Sequence, residues 1–166
     1  MNKPKADLLI HNTSELITCV SKGNDPLGRI PNGAVAVANG CILSTGSKVD
    51  LEQCLDLTES EILDAKGKIV APGFVDCHTH LIFGKSRAKE YALKMTLSIA
   101  EIEAMGLKTG IPASIAMTRE TSEEDLFTSA LERLERMLQY GTTTVESKSG
   151  YGIRWPDELK MLHVNQ

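Results

Sequence analysis

At 166 residues, 42% hydrophobic and 24% charged, the chain has an ordinary globular composition and enough length to bury a core, which excludes a disordered tail or a fibrous repeat. The net charge of -4, with Lys and Arg scattered among Asp and Glu, leaves no basic stripe to neutralise phosphates, so nucleic acid is not an expected partner. The polar start has no signal-peptide core and no apolar stretch approaches the roughly 20 residues that cross a bilayer. Cys19, Cys41, Cys54 and Cys77 have no CxxC spacing. A cytoplasmic protein with reduced thiols and no membrane attachment is the expectation.

From Ala6 to about Gly67 short β-type runs alternate with turn residues. Strands are predicted over Asp7–His11, Leu16–Val20, Gly33–Asn39, Cys41–Thr45 and Lys68–Ala71. Asn39-Gly40 between two apolar runs is a hairpin signal, and Gly23 to Pro26 is turn chemistry. A short helix is expected around Val49 to Leu55. Residues 1–67 therefore read as a small, sandwich-like β layer.

After Pro72-Gly73 helical patterns alternate with short strands, as in βα units that build a parallel sheet. Residues 68–166 are expected to form this second region, and 87–114 is mostly helical in composition, broken by Gly106, Gly110 and Pro112. The clearest helix is predicted to start at Thr121, with Thr121 and Glu124 as a capping box. Leu126, Phe127, Ala130, Leu131, Leu134, Met137 and Leu138 share its apolar side, and Gly141 ends it. A β-branched strand over Thr142–Val145 leads into the loop Ser147 to Gly152, and Pro156 opens another helix.

Chemistry gathers at the run Val70-Ala-Pro-Gly-Phe-Val-Asp-Cys-His-Thr-His80. Strand side chains repeat every two residues, so His78 and His80 share a face with Cα atoms about 6.5 Å apart, close enough to hold one ion. Neutral imidazoles suit zinc, iron or nickel better than magnesium. Cys77 belongs on the opposite face. Asp76 lies on the histidine face, either orienting a ligand or satisfying backbone groups at the strand end.

The Pro-Gly-Phe-Val-Asp-Cys-His-Thr-His phrase resembles the first barrel strand of the amidohydrolase superfamily. Three further phrases narrow the resemblance to the imidazolonepropionase family over essentially the whole chain: Phe83-Gly-Lys-Ser-Arg87, Ala116-Met-Thr-Arg119 and Val145-Glu-Ser-Lys-Ser-Gly-Tyr-Gly152. The resemblance implies an α/β fold, with the small β-sandwich-like N-terminal layer followed by the first βα units of an incomplete TIM-type (β/α)8 amidohydrolase barrel. It also implies hydrolysis of the cyclic amide of 4-imidazolone-5-propanoate to N-formimino-L-glutamate in histidine degradation, with one zinc or iron ion.

By the same resemblance His78 and His80 match metal ligands, while Arg87 and Tyr151 match substrate-binding residues. A guanidinium can hold the propanoate with two parallel hydrogen bonds, and a phenol can donate to it or to the ring. Lys148 is read as a supporting charge. Gly84-Lys85 and the run Leu107 to Gly110 depart from the family pattern, which puts that loop's conformation in question. Acid-base groups and further ligands are expected beyond this stretch, so the chain alone is expected to be inactive; a homodimer is expected at full length. The alternatives are another cyclic-amide amidohydrolase, or a non-catalytic remnant.

Overall fold

In the first part of the chain the apolar runs become strands and the turn residues become their connections. β1 (Leu8–His11), β2 (Glu15–Ile17), β3 (Arg29–Pro31), β4 (Gly33–Ala38) and β5 (Cys41–Ser47) are followed by α1 (Lys48–Cys54), β6 (Glu61–Asp64) and β7 (Ile69–Val70). The structure, a computed structural model, describes residues 3–166 and falls into two compact units that divide between Pro72 and Gly73.

Two sheets build the first unit, ordered β5-β4-β1-β6 and β3-β2-β7. β1 runs antiparallel to β4 and parallel to β6, and β2 runs antiparallel to β3 and parallel to β7. Asn39 and Gly40 both take positive φ, 51° and 74°, which the two-residue hairpin between β4 and β5 requires. The small, fully buried Ala34 and Ala36 let α1 approach, and its Leu51 joins Ala6, Leu9 and Leu55 in the core.

Three departures from the sequence pattern have physical causes. β2 stops at Ile17 instead of Val20 because Cys19 adopts φ 56° and its N–H turns to the Leu27 carbonyl at 2.9 Å. β6 gave no alternation to read, since all four of its residues are exposed and its pairing with β1 is long-range. The expected strand over Lys68–Ala71 shortens to Ile69–Val70, which pairs with β2 and so places 68–72 with the first unit.

The second unit contains β8 (Phe74–Thr79), α2 (Ala88–Lys94), α3 (Ile99–Ala104), α4 (Gly110–Glu120), α5 (Glu123–Gln139), β9 (Thr142–Ser147) and α6 (Trp155–Val164). β8 and β9 pair in parallel, so α2 to α5 form the crossover that parallel strands demand. The capping residue of α5 is one position later than the sequence suggested: Ser122, not Thr121, accepts from the Asp125 N–H at 3.1 Å. Thr121 instead closes α4 by donating to the Met117 carbonyl at 2.7 Å.

Leu126 and Ala130 of α5 pack with Leu81, Ile82 and Met161, joined by Leu134 and Met137. The rest of the expected apolar side, Phe127, Leu131 and Leu138, faces solvent, as do Phe74 and Val75 of β8. Parallel strands are normally covered on both faces, so this unit carries sheet surface of the kind that further layers bury. Among the described residues no helix is long and apolar enough to cross a membrane.

Candidate metal and substrate site

Because β8 and β9 are parallel, their C-terminal ends emerge on the same side of the second unit. Two hydrogen bonds fasten those ends together, from Thr79 Oγ1 to the Glu146 carbonyl at 2.7 Å and from the Lys148 N–H to the Thr79 carbonyl at 2.9 Å. His78 and His80 leave β8 here with ring centroids 5.6 Å apart, nearly perpendicular. The Tyr151 ring, on the loop after β9, lies 4.9 Å from that of His80.

A cleft of about 270 Å³ opens beside His80, walled by Phe83, Lys85, Arg87, Ser114 and Tyr151. Three of the four residues singled out by the sequence, His80, Arg87 and Tyr151, thus share one hollow, and the exposed His78 stands beside His80. A hollow of about 810 Å³ in the first unit, between Lys3, Lys5, Glu52 and Asp56, contains no histidine and gathers no such set.

The donor chemistry fits a divalent ion only in part. His80 Nδ1 is buried with no hydrogen-bond partner, an arrangement that a metal bond or a donor would relieve. Among the described residues no three of His, Cys, Asp and Glu gather as a metal site, so two imidazoles are what this chain offers. Asp76 accepts from the His78 N–H at 3.3 Å, serving the backbone at the strand end. Cys77 is exposed and unpaired.

Motif reading gave no role to several supporting residues, although Arg119 lies in one of the phrases that carry the resemblance. Arg133 of α5 donates to the carbonyls of Leu81 and Phe83 at 2.8 and 3.2 Å, with its guanidinium 3.6 Å from the Phe83 ring centre. Burial lowers the pKa of this guanidinium, and the carbonyl contacts and ring face compensate its desolvation. Arg119 Nε donates to the Gly152 carbonyl at 2.8 Å, tying α4 to the Tyr151 loop. These contacts join residues 33 to 52 positions apart, and no spacing rule reports them.

Glu90 did leave a signal, since it falls three residues after Arg87, the residue that caps α2, and four before Lys94 in that helix. Its buried carboxylate meets Arg87 Nη1 through both oxygens at 3.3 Å, Lys94 Nζ, and the Gly110 N–H at 2.9 Å. The last contact fixes the run whose conformation the sequence left in question. Lys94 and the Gly110 N–H, with Arg87 adding its charge, hold the Glu90 carboxyl at about 2, below its ordinary 4.5. A depressed carboxylate stabilises the fold above its unfolded pKa and loses that contribution as pH falls through the folded one. Urea unfolding of wild type and Glu90→Gln should therefore differ at pH 7 and converge as pH drops from about 4.5 towards 2; a gap that stays constant with pH would remove the charge from the explanation.

Solved structures that share this fold include deaminases and other hydrolases. Guanine deaminase from E. coli overlays 93% of this chain and 32% of its own with a TM-score of 0.61 at 17% identity. An adenosine deaminase from Xanthomonas campestris, solved with bound zinc, overlays 89% of this chain and 30% of its own at a TM-score of 0.50 and 19% identity. Residues 61–109 match the amidohydrolase family. The fold is that of a partial amidohydrolase domain, α/β with the opening βα unit of the barrel.

Within that class the chain is similar in sequence to imidazolonepropionases. It is 39% identical to the imidazolonepropionase of Clostridium tetani over 96% of its own length. The match spans 39% of that relative, so the chain accounts for about two fifths of such a protein.

Proposed function

We propose that this chain contributes the β8 histidines and part of the substrate cleft of a metal-dependent hydrolase that opens the cyclic amide of 4-imidazolone-5-propanoate to N-formimino-L-glutamate. The observation that carries the reading is the convergence of His80, Arg87 and Tyr151 on one cleft, in a chain similar over 96% of its length to an imidazolonepropionase. His78 and His80 would hold a single zinc or iron ion together with ligands from outside this stretch. When bound, such an ion acts as a Lewis acid that polarises the ring carbonyl and makes water a better nucleophile at neutral pH.

The chain's own residues bind and orient. Arg87 would pair with the propanoate carboxylate, and a bidentate guanidinium contact fixes direction as well as affinity. Tyr151, packed against His80, would donate its phenolic hydrogen to the carboxylate or the ring and keep the scissile amide over the histidines. Phe83 and Ser114 complete the wall of the cleft. Net hydrolysis adds one water, breaks the ring C–N bond and delivers a proton to the departing nitrogen. The groups that move those protons are expected outside this stretch.

The test is an assay of the protein expressed from its entire reading frame, with zinc or iron(II) supplied, following loss of the imidazolone ring and formation of N-formimino-L-glutamate. Arg87→Ala should raise KM about 100-fold, because a lost charge-assisted pair and a misplaced substrate both weaken binding. A folded, metal-loaded protein that leaves the substrate intact would sink the reading. The 166-residue chain by itself should give no turnover, since two imidazoles are short of the roughly four ligands such a site takes.

A further inference from the structure

Arg87 precedes α2 as its capping residue, without a side-chain cap bond, and it borders both the His80 cleft and a second hollow of about 390 Å³ shared with Glu90, Tyr91 and Lys94. One nitrogen, Nη1, is turned inward onto both oxygens of Glu90, at 3.3 Å each. Among the described residues Nε and Nη2 meet no protein acceptor. A planar guanidinium held by one corner has its remaining edge directed, and that edge is the one a carboxylate ligand uses.

Glu90 is itself fixed. It is 7% exposed, and Lys94 one turn later and the Gly110 N–H at the start of α4 both bind its Oε1. The Gly110 contact joins α2 to α4 and the Lys94 contact lies within α2, so the grip on Arg87 is additional to the structural role. The carboxylate carries one negative charge between two cations, and the exposed Lys85 adds another cation at the cleft wall. The local balance stays positive, so an incoming carboxylate is attracted even with Glu90 ionised.

We propose that Glu90 is a positioning residue for carboxylate recognition: by gripping Nη1 of Arg87 from inside the fold, it aims the other guanidinium edge into the cleft shared with His80 and Tyr151. The inference rests on the reading of Arg87 as the anchor for the substrate's propanoate and adds the group that orients it. Without Glu90 the guanidinium would sample several directions, and each binding event would have to order it first.

The probes are two stable imidazoles that differ in one group, imidazole-4-propanoate and 4-propylimidazole, titrated into the isotope-labelled chain by NMR. Amide spectra of each variant report its folding in the same experiment. Wild type should prefer the propanoate, and Arg87→Lys should erase that preference. Glu90→Gln should weaken propanoate binding about tenfold and leave propylimidazole binding unchanged, the loss expected when an anchor drifts by a fraction of an ångström. Lys94→Met disturbs the same carboxylate without touching Arg87 and should keep the preference, which separates aiming from helix packing.

Should Glu90→Gln not fold, Glu90→Asp gives the same reading, because its shorter arm keeps the charge but withdraws from Nη1. A propanoate preference that is unchanged or stronger in the Glu90 variant, with Arg87→Lys still erasing it, would overturn the inference alone. Wild type without any preference, or a preference indifferent to Arg87→Lys, would overturn the anchor reading and the inference with it.

Discussion

Zinc affinity of the chain should fall by more than about 100-fold in His80→Ala. Removing partners of metal ligands already costs about 10- to 100-fold, and a ligand itself should cost more. His80 is the better single target than His78. It is half-buried, its Nδ1 has no hydrogen-bond partner, and it lines the cleft, whereas His78 is exposed. With His80 gone, one solvated imidazole remains, which differs little from a surface histidine. Competition against a chromophoric chelator measures the change directly, and thermal melting of the same sample checks that loss of the His80 contact with Tyr151 has not unfolded the unit. Equal affinity in wild type and variant would remove His80 from the ligand set, and with it the physical basis for placing an ion at this strand end.

The parts of this fold that local rules govern were readable in advance. The Asn39-Gly40 hairpin, α1, the parallel strands flanking a helical crossover and the helix that Gly141 ends all follow from turn chemistry or periodicity. The misses are instructive. Capping depends on where the chain breaks from helical φ and ψ, and Thr121 and Ser122 are both good caps. The choice fell to Ser122 because Thr121 spends its hydroxyl on the Met117 carbonyl of the preceding helix. β6 was missed because its partner β1 lies some fifty residues earlier and neither of its faces is covered.

At the site the balance is similar. His78 and His80 were picked out by the two-residue strand repeat, and Arg87 and Tyr151 by resemblance; the structure brings three of the four onto one cleft. What positions them was visible only in part: Thr118 and Arg119 fall in a phrase that carries the resemblance, Arg133 in none, and the role of all three was unread. Arg133, Arg119 and Thr118 act through bonds to carbonyls, or to the backbone N–H of Gly84, that are distant in sequence. A bond to main chain cannot be read from spacing, because the partner can be any residue type. Glu90 is the exception, since an acid spaced between two bases, one capping a helix and one within it, is a pattern that charge reading can find.

Gly84 provides the sharpest test of that scaffold. Its φ is not in the left-handed region, so conformational freedom is not the reason a glycine is found here. Space is the reason: a Cβ at this position would overlap the Met117 carbonyl and reach within 2.8 Å of the Thr118 backbone nitrogen. Both obstacles are main chain of α4, which cannot swing aside as a flexible side chain would. The Gly84 N–H also donates to the buried Thr118 hydroxyl at 3.1 Å, and that hydroxyl passes its own hydrogen to the Ser114 carbonyl at 2.8 Å. Gly84→Ala must therefore push the Phe83–Arg87 stretch off α4 and break this relay. Overpacking and a lost buried hydrogen bond together should destabilise the second unit by about 3 kcal/mol, read by urea unfolding. Gly40→Ala is the contrasting case, because a Cβ there meets nothing within 4 Å and only the positive φ of 74° is strained, for which about 1 kcal/mol is expected. If the two variants unfold alike, or Gly84→Ala matches wild type, the stretch that carries Arg87 is not braced against α4, and the aim of that arginine must be set elsewhere.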